Sequence, residues 1–517
     1  YLDMTRSELI ESGYTIQTTM DLDVQNRLEE LFTEAEWFPA SPVSGELCQA
    51  AVVVLDPRTG DVLGMMGGRT EGDYQLRSFN RCTGAYRQPG STIKPLAVYA
   101  PALEWYGYTT ATPVLDEPVE YAGYRPSNYS GTYRGQITVR EALSDSINIP
   151  AVRIYHDIGP ANGADFLETV GITLAEADQN SLSVALGGIS QGISPLQLAE
   201  AYTVFPGQGK YRTSDCVLSI KDADGRVLWE QVPAYQETLS EETAFLINDM
   251  LTSTTEEGTA SVLRDLPFPV AAKTGTVQLP KSDAFAGISG LNDSWVVAYT
   301  PRHLVTVWMG FDRTTPEYYL PADATGGAHP ARLAKEILSA AETDTAPAQF
   351  TKPLDVVEIS LDTTGTAQGK IWISSEDTPP EDILKEYFAS NNIPTQTAPP
   401  RYYLPDDMRL TVLPTGYPAI DFTAKSGARY RLYRQTREGE TETIAVLQGD
   451  ADNHVHFVDF SAAPATEYGY SVGIQDKTGP VLWTGESLDQ EEPGGPDTSP
   501  DTDEQDADQP DIFSVVP

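Results

Sequence analysis

The chain has 517 residues, with 34 Lys and Arg against 75 Asp and Glu, so that its formal net charge at pH 7 is −41. This length excludes a single small module and predicts several domains of about 150 residues each. The acidic excess excludes a protein that binds duplex nucleic acid through phosphate contacts. Hydrophobic residues make up 40% and charged residues 21% of the chain, which is typical of folded globular domains.

The cysteine and hydropathy patterns exclude further classes. Cys48, Cys82 and Cys216 are far apart and odd in number, so they supply neither a disulfide framework nor the paired spacing of a zinc site. No metal or other cofactor is predicted. No apolar run reaches the roughly 18 residues of a membrane-spanning helix, and no signal peptide opens the chain. Because residues 1–13 are not typical of a natural N-terminus, we expect a fragment of a longer protein, with any membrane anchor upstream.

The first predicted elements are a helix and a β-hairpin. From Asp21 onward, apolar residues recur about every 3.6 positions, which predicts an amphipathic helix. The apolar runs Gln49–Leu55 and Val62–Met66 flank a turn at 56–60, whose Pro and Gly suit a hairpin. These two runs are the first predicted strands of a sheet.

Helical and turn-rich sequence follows up to residue 209, and strand-like runs then return. They lie at 217–220, 271–277, 294–300 and 303–311, and residues 331–341 predict a closing helix. Strands at both ends with helices between them predict an α/β domain whose sheet joins distant segments of the chain.

The C-terminal third differs in composition. Residues 346–401 carry two Pro-Pro pairs and little periodicity, which predicts a linker or a small subdomain. Seven short alternating runs then predict an all-β sandwich over 402–486: 409–413, 419–423, 430–434, 443–447, 454–460, 468–474 and 481–484. Within it, the stretch 464–472 resembles the late strand of a fibronectin type III domain. Residues 489–511 hold ten acidic and no basic side chains, so we expect a disordered acidic tail over 487–517.

A Ser-x-x-Lys motif follows the chain break at Pro89-Gly90. Ser91 is predicted to open a helix that continues through Leu103, and Lys94 lies one turn later on the same face. The lysine amine can then reach the serine hydroxyl, and lysine can act as a base if burial or a second cation lowers its pKa. Pro95 would leave the Ser91 carbonyl without its usual helical partner. Taken alone, the motif also fits an N-cap serine followed by a solvated lysine.

The second motif in chain order contains a serine and an asparagine. Ser146-Ile147-Asn148 lies at the end of a predicted helix, where the hydroxyl can relay a proton and the amide can orient the lysine or a substrate. Alone, it also fits an ordinary polar helix end.

The third motif, residues 273–276 (Lys-Thr-Gly-Thr), lies in a predicted strand. Lys273 supplies the second cation, glycine allows close approach of a ligand backbone, and threonine hydroxyls can hold a carboxylate. Alternation puts Lys273 and Gly275 on one face and Thr274 and Thr276 on the other, unless twist or a bulge intervenes. Two similar triplets are set aside: 477–479 is predicted to be a hairpin turn, and 390–392 is a loop out of chain order.

The order Ser91, Ser146, Lys273, each in the element that its role requires, identifies a known pattern. Over roughly residues 13–340, the chain resembles the transpeptidase part of penicillin-binding proteins, of the class A, bifunctional kind. The resemblance rests on these segments together: 13–19 with Asp21 and Gln25, 56–60, 67–69, 87–95, 185–188, 194–196, 201–202, 273–276, 293–295 and 308–312. The stretch around Ser91 and the segment 308–312 favour class A over class B. Where the family usually continues with a second hydroxyl residue, this chain has Val277.

The resemblance implies a penicillin-binding and serine β-lactamase-like α/β fold, an antiparallel sheet flanked by helices, over 45–345. Residues 1–44 would be a linker or the N-terminal part of the transpeptidase region. The implied activity is a D,D-transpeptidase that cross-links peptidoglycan stem peptides. Ser91 would attack the carbonyl between two terminal D-alanines, Lys94 would take its proton, and a neighbouring stem's amine would resolve the acyl-enzyme.

The same resemblance implies roles for the other motif residues. Ser146 would relay the proton, Asn148 would position the lysine and the substrate, and the backbone N–H groups of Ser91 and Thr276 would form the oxyanion hole. The substrate carboxylate would be held by Lys273 with the strand residues Thr274, Gly275 and Thr276.

Partners and location are likewise implied by the resemblance. The partners would be the D-Ala-D-Ala donor stem, an amine acceptor stem, β-lactam antibiotics as covalent inhibitors, and cell-wall synthesis or division proteins, with no nucleic acid. The location would be the extracytoplasmic face of a bacterial cell membrane. Because no glycosyltransferase signature precedes residue 13, we expect no glycan polymerisation by this fragment.

Several alternatives stay open at this stage. A serine β-lactamase shares the three motifs but needs a deacylation base, and we nominate no general-base glutamate. A penicillin-recognising sensor is the rival from another class. We expect Asp293 to be a turn residue rather than an acid catalyst, and Trp295, Tyr299 and Trp308 to pack a sheet face. The β-rich module would bind peptidoglycan or a division partner, or act as a spacer.

Overall fold

A computed structural model describes residues 1–485 with gaps at 3, 70–77, 343–345, 377, 400–402, 426–427, 449–452, 464–465 and 475–476. The predicted acidic tail and the first two residues of the fibronectin-like stretch lie outside the described residues. The chain divides into two units, Tyr1–Pro399 and Pro400–Pro517, and each is described by itself. None of the described helices combines the length and the apolar character that crossing a bilayer requires.

The described α-helices all lie in the first unit. In chain order they are α1 (Arg6–Glu11), α2 (Leu22–Thr33), α3 (Arg81–Gly84), α4 (Ala100–Trp105), α5 (Val139–Ser144), α6 (Asn148–Ile158), α7 (Pro160–Thr169), α8 (Pro195–Tyr202), α9 (Glu241–Glu256) and α10 (His329–Ala341).

The described strands of the first unit run from β1 to β15. They are β1 (Thr15–Thr18), β2 (Gln49–Leu55), β3 (Val62–Met66), β4 (Pro113–Asp116), β5 (Gly135–Thr138), β6 (Lys210–Tyr211), β7 (Val217–Lys221), β8 (Val227–Glu230), β9 (Gln236–Glu237), β10 (Ala271–Gln278), β11 (Leu291–Tyr299), β12 (Leu304–Gly310), β13 (Val356–Asp362), β14 (Trp372–Ile373) and β15 (Ile383–Ala389).

An antiparallel sheet at the centre of the first unit joins strands that are distant in the chain. Its described strands have the order β10-β11-β12-β2-β3, so β10 lies at an edge. The register pairs Gly275 with Trp295 across β10 and β11, and Trp308 with Ala51 across β12 and β2. The prediction of an α/β domain whose sheet brings both ends of the domain together is confirmed.

Each face of this sheet is covered by its own hydrophobic core. Because strand residues alternate between faces, Ala51, Val53 and Leu55 pack with helices α4, α6, α8 and α9. Residues Ala50, Val52 and Val54 pack on the other side, with α2 and α10. The predicted sheet-packing aromatics are buried in the first of these cores: Trp295, Tyr299 and Trp308.

The region predicted to be a linker or a small subdomain forms a sheet of its own in the first unit. Its described strands have the order β14-β13-β15. The Arg140 guanidinium of α5 donates to both carboxylate oxygens of Glu386 in β15, at 2.5 and 2.7 Å. Since the Glu386 side chain is 1% exposed, this ion pair ties the small sheet to the helix that precedes the Ser146 motif.

The second unit is all-β in its described part. Its strands are β16 (Arg409–Val412), β17 (Pro418–Thr423), β18 (Arg429–Gln435), β19 (Thr441–Gln448), β20 (His454–Val458), β21 (Gly469–Ile474), β22 (Lys477–Thr478) and β23 (Leu482–Trp483). One sheet has the order β16-β17-β20, and the other has β19-β18-β21-β22 with β23 on β21. One hydrophobic core contains residues from both sheets, among them Ile420, Leu432, Val455 and Val472.

Each of the seven runs predicted as strands coincides with a strand of this unit. The prediction for 477–479 is wrong in one respect, because Lys477 and Thr478 pair with Ile474 and Gly473 as strand β22. Lys477 and Thr478 follow residues 475–476 in the chain. They belong to the strand ladder because their backbones pair with β21.

Candidate active site

The segment that carries Ser91 is helical from Gly90 to Trp105, but its helix type changes along the way. A 3₁₀ turn spans Gly90–Ile93, a π-helical turn spans Pro95–Tyr99, and α4 begins only at Ala100. Pro95 has no N–H, so the Ser91 carbonyl accepts a hydrogen bond from the Lys94 N–H instead. The predicted helix through Leu103 and the irregularity expected at Pro95 are therefore both confirmed.

Side chains from distant elements fix this segment against the sheet. The Trp295 indole N–H donates to the Gln88 carbonyl at 2.9 Å. The Tyr202 hydroxyl of α8 donates to the Thr92 carbonyl. Gly90 has a φ of +56°, and a Cβ added there would lie 3.2 Å from the backbone nitrogen of Thr276. The turn that presents Ser91 is thus packed directly on the edge strand β10.

A buried carboxylate holds the chain just before this turn. Asp293 accepts hydrogen bonds from Arg87 Nε and from the Trp308 indole N–H, both at 2.9 Å. Burial raises the pKa of Asp293, and the adjacent Arg87 and the Trp308 and Asn292 hydrogen bonds oppose that rise. The expectation that Asp293 is a turn residue is wrong: it lies in β11, where antiparallel pairing with Gly310 continues the ladder.

Lys94 is completely buried and surrounded by acceptors. Its Nζ lies within hydrogen-bond distance of three oxygens, the carbonyls of Ser146 (2.6 Å) and Ile147 (3.0 Å) and Asn148 Oδ1 (2.9 Å). The ammonium form can donate to all three, whereas the neutral amine donates to two of them and keeps a lone pair. Burial lowers the pKa of Lys94 well below its usual range, and the charge of Lys273 lowers it further. The two conditions that allow a lysine to act as a base are therefore both present.

Ser146 lies in the junction between α5 and α6, in the left-handed region at φ +55°. This conformation is uncommon for a residue with a side chain and typical of functional sites. Its hydroxyl accepts a 2.7 Å hydrogen bond from Lys273 Nζ and lies 3.4 Å from Lys94 Nζ. Burial lowers the pKa of Lys273 to about 7. A hydroxyl between two amines of lowered pKa can pass a proton between them.

Strand β10 presents its motif residues to two sides. Lys273 faces Ser146, whereas the Thr274 hydroxyl donates to the Thr259 hydroxyl at 2.8 Å on the other side of the strand. A Cβ at Gly275 would lie 2.5 Å from the Pro89 carbonyl oxygen. Glycine therefore lets the strand approach the segment that carries Ser91.

A cavity of about 300 Å³ lies beside the Ser91 turn and strand β10. Its lining includes Ser91, Asn148 and Thr276, and its charged lining residues are Arg125 and Lys281. The Ser91 hydroxyl forms no hydrogen bond with any described residue. Among the described residues that line the cavity, none is Asp or Glu, although acidic residues outnumber basic ones in the chain. The cavity therefore suits an anionic ligand and leaves the serine hydroxyl available to it.

Most of the residues named from the sequence meet here. Lys94, Ser146, Asn148 and Lys273 form one hydrogen-bonded cluster, and Ser91 and Thr276 line the adjoining cavity with Asn148. Thr274 is engaged with Thr259 instead.

Sequence reasoning missed two loop residues of the same site. Ser127 and Asn128 line the cavity and hydrogen-bond to Asn148. They lie in an irregular loop between β4 and β5, which carries no periodic pattern that could have indicated them.

Comparisons with known proteins agree with this geometry. A family model described as the penicillin-binding protein transpeptidase domain matches residues 50–339. The chain is 35% identical over 354 residues to penicillin-binding protein 1F of Bacillus subtilis, covering 68% of this chain and 46% of that protein. It is 31% identical over 404 residues to penicillin-binding protein 1A of Clostridium botulinum, covering 75% and 46%. The chain spans about half the length of the curated relatives it matches.

A solved structure of similar fold is the penicillin-binding protein PonA1 of Mycobacterium tuberculosis. It is 22% identical, with a TM-score of 0.57, and the match covers 68% of this chain and 90% of that one. At this identity the similarity concerns the fold.

Proposed function

The chain belongs to the penicillin-binding protein transpeptidase family, and from this premise we propose that it is a serine D,D-transpeptidase that β-lactams acylate. The substrate would be a peptidoglycan stem ending in D-Ala-D-Ala, and the acceptor an amine of a second stem. The observation that carries the proposal is the buried cluster of Lys94, Ser146 and Lys273 beside a cavity lined by Ser91.

The first half of the reaction forms the acyl-enzyme. Neutral Lys94 takes the proton of Ser91, whose oxygen attacks the carbonyl of the penultimate D-alanine. The backbone N–H groups of Ser91 and Thr276 stabilise the oxyanion. As the C–N bond breaks, the proton passes from Lys94 through the Ser146 hydroxyl to the leaving D-alanine amine.

The second half releases the product. The acceptor amine attacks the ester carbonyl, loses its proton to the same relay, and expels the Ser91 oxygen, which recovers a proton. Lys273 and Thr276 hold the terminal carboxylate of the donor, with the backbone at Gly275 alongside. Because the Thr274 hydroxyl is hydrogen-bonded to Thr259, Thr274 supports this carboxylate site through the strand rather than through its own hydroxyl.

Intact-mass spectrometry after benzylpenicillin, followed by peptide mapping, tests the proposal. We expect one adduct, on the peptide that contains Ser91, and none with Ser91→Ala. An adduct on any other peptide contradicts the assignment. Incubation with a D-Ala-D-Ala stem peptide and an amine acceptor then separates a transpeptidase, which forms the cross-linked product, from a sensor, which does not.

Turnover of the acyl-enzyme distinguishes this proposal from a β-lactamase. The described lining residues include no Asp or Glu that could activate water for deacylation. With a chromogenic cephalosporin in stopped flow, we expect a single burst, whereas rapid turnover would favour the lactamase. The proposed location is the extracytoplasmic face of the membrane, where the stem peptides are found.

A further inference from the structure

Helix α6 begins without a cap of its own. The residue before it is Ile147, whose side chain makes no capping hydrogen bond. Instead, Asn128 Oδ1 accepts the N–H groups of Asn148 (3.2 Å) and Ile149 (3.1 Å). The next residue, Pro150, has no N–H to satisfy. A side chain from the β4–β5 loop therefore supplies the cap that the local sequence lacks.

The same loop decides which way the Asn148 amide points. Asn148 Nδ2 donates to the Ser127 carbonyl at 2.9 Å, which leaves Oδ1 to accept from Lys94 at 2.9 Å. A flipped amide would set its oxygen against the Ser127 carbonyl oxygen and lose that hydrogen bond. The loop thus holds both the backbone and the side chain of Asn148.

Asp116 in turn orients the Asn128 amide. The Asn128 Nδ2 donates to Asp116 Oδ1 at 2.7 Å and to the Thr132 carbonyl at 2.9 Å. Asp116 Oδ2 accepts the Arg134 N–H at 2.9 Å. Asp116 is fully buried and Asn128 is 7% exposed, so these bonds are sheltered from water.

We propose that Asn128, oriented by Asp116, is a positioning residue for acylation. It acts through Asn148, and through Asn148 on Lys94, without taking part in the bonds that form or break. Loss of its Oδ1 frees the first turn of α6, so that Asn148 and Lys94 leave the geometry in which the amine can take the Ser91 proton. This inference rests on the proposed function.

Acylation kinetics of Asn128→Ala and Asn128→Asp test the proposal. We expect the first-order acylation constant with benzylpenicillin to fall about 10- to 100-fold in both variants, the size of effect that a misplacement near 1 Å produces. The dissociation constant of the non-covalent complex should change little, because Asn128 lines the cavity but both its amide oxygen and its amide nitrogen are engaged with protein groups. In Asn128→Asp, two carboxylates face each other in place of the 2.7 Å hydrogen bond.

The pair can also be exchanged. In Asp116→Asn with Asn128→Asp, the new amide at 116 can donate to the new carboxylate at 128, which still accepts both N–H groups of α6. We expect this double variant to acylate faster than Asn128→Asp alone. Recovery of the first-order constant would show that the hydrogen bond between residues 116 and 128, rather than either side chain alone, sets the geometry at the start of α6.

Asn248→Ala is the matched control. Asn248 is 5% exposed, donates to the Phe205 carbonyl and accepts from the Tyr299 hydroxyl, so its removal also costs buried hydrogen bonds. We expect its melting temperature to fall while the first-order constant stays at the wild-type value. If Asn128→Ala behaves like this control, the inference is overturned, and so it is if the exchanged pair brings no recovery. Should Asn128→Ala fail to fold, the comparison of Asn128→Asp with the exchanged pair decides. Failure of the wild-type chain to acylate at Ser91 would instead overturn the proposed function.

Discussion

Lys273 donates a 2.7 Å hydrogen bond to the hydroxyl of Ser146, although the two residues are 127 positions apart in the chain. That hydroxyl is also 3.4 Å from the amine of Lys94. The charge of Lys273 is one of the two causes that lower the pKa of Lys94, after burial. The charge of Lys273 and its lowered pKa therefore each predict a measurable dependence on pH.

Removal of the Lys273 charge should move the pH dependence of acylation. In Lys273→Met the pKa of Lys94 rises, so a higher pH is needed to make its amine neutral. We expect the acid limb of the acylation profile with benzylpenicillin to shift to higher pH and the rate at pH 7 to fall about 100-fold. Lys335→Met on α10 is the control that removes a lysine away from the site. A lower plateau with no shift of the limb would argue against the electrostatic role.

The lowered pKa of Lys273 also predicts how stability depends on pH. The folded group holds its proton only below about pH 7, whereas in the unfolded chain its ordinary pKa is 10.5. Between these values the unfolded state binds more protons, so the free energy of unfolding contributed by this group rises with pH across the window and is lost as pH falls toward 7. Denaturant titrations at several pH values from 7 to 10 should show a smaller rise in Lys273→Met than in the wild type. Equal slopes for the two proteins would contradict the lowered pKa.

Gly275→Ala should impair both stability and acylation. The added Cβ would lie 2.5 Å from the Pro89 carbonyl oxygen and 2.9 Å from Thr92 Cγ2, so the Ser91 segment or β10 must move. We expect a loss of about 1–3 kcal/mol in the free energy of unfolding and a slower acylation. Gly479→Ala is the control, because its Cβ would meet neighbours only at 3.4 Å and beyond. Wild-type acylation by Gly275→Ala would show that the close approach is not needed.

The buried Asp293 depends on Arg87 for its charge balance. Arg87→Ala leaves the carboxylate, which is 1% exposed, without its cation, and we expect a loss of about 3–5 kcal/mol in unfolding free energy. Adding Asp293→Asn removes the unpaired charge, so the double variant should be more stable than Arg87→Ala alone. Denaturant unfolding of the four proteins in this cycle measures the coupling. Strict additivity would mean that the ion pair does not stabilise the fold.

A chain that ends at residue 399 should keep the acylation rate of the full chain. Every described residue that lines the cavity beside Ser91 lies in the first unit, and the described core of the β-rich unit is made by residues of that unit. Rates of acylation by benzylpenicillin for the two chains are the measurement, and a large loss on truncation would contradict this division. Retention on purified sacculi then compares the peptidoglycan-binding and spacer hypotheses, since unchanged retention removes the binding hypothesis.

Several local features of the site and the fold could be predicted from the sequence. The place of Lys94 one turn after Ser91 follows from spacing, and the irregular turn follows from the missing N–H of Pro95. Seven of the eight described strands of the second unit follow from alternation. By contrast, no local signal indicated that Ser146 has a positive φ, that Asp293 is buried in a strand, or that Thr274 pairs with Thr259.

The amino-acid order by itself determined many of the element types, the order of the three motifs and the family that they resemble, because these depend on propensities and spacings within a few turns. Only the tertiary structure decided which polar atoms meet. The burial of Lys94 depends on packing between segments far apart in the chain. The same packing places Lys273 and Asn148 near the Lys94 amine and Asn128 at the start of α6. Burial and the resulting low dielectric arise from that packing, and they are what turn a lysine into a candidate base.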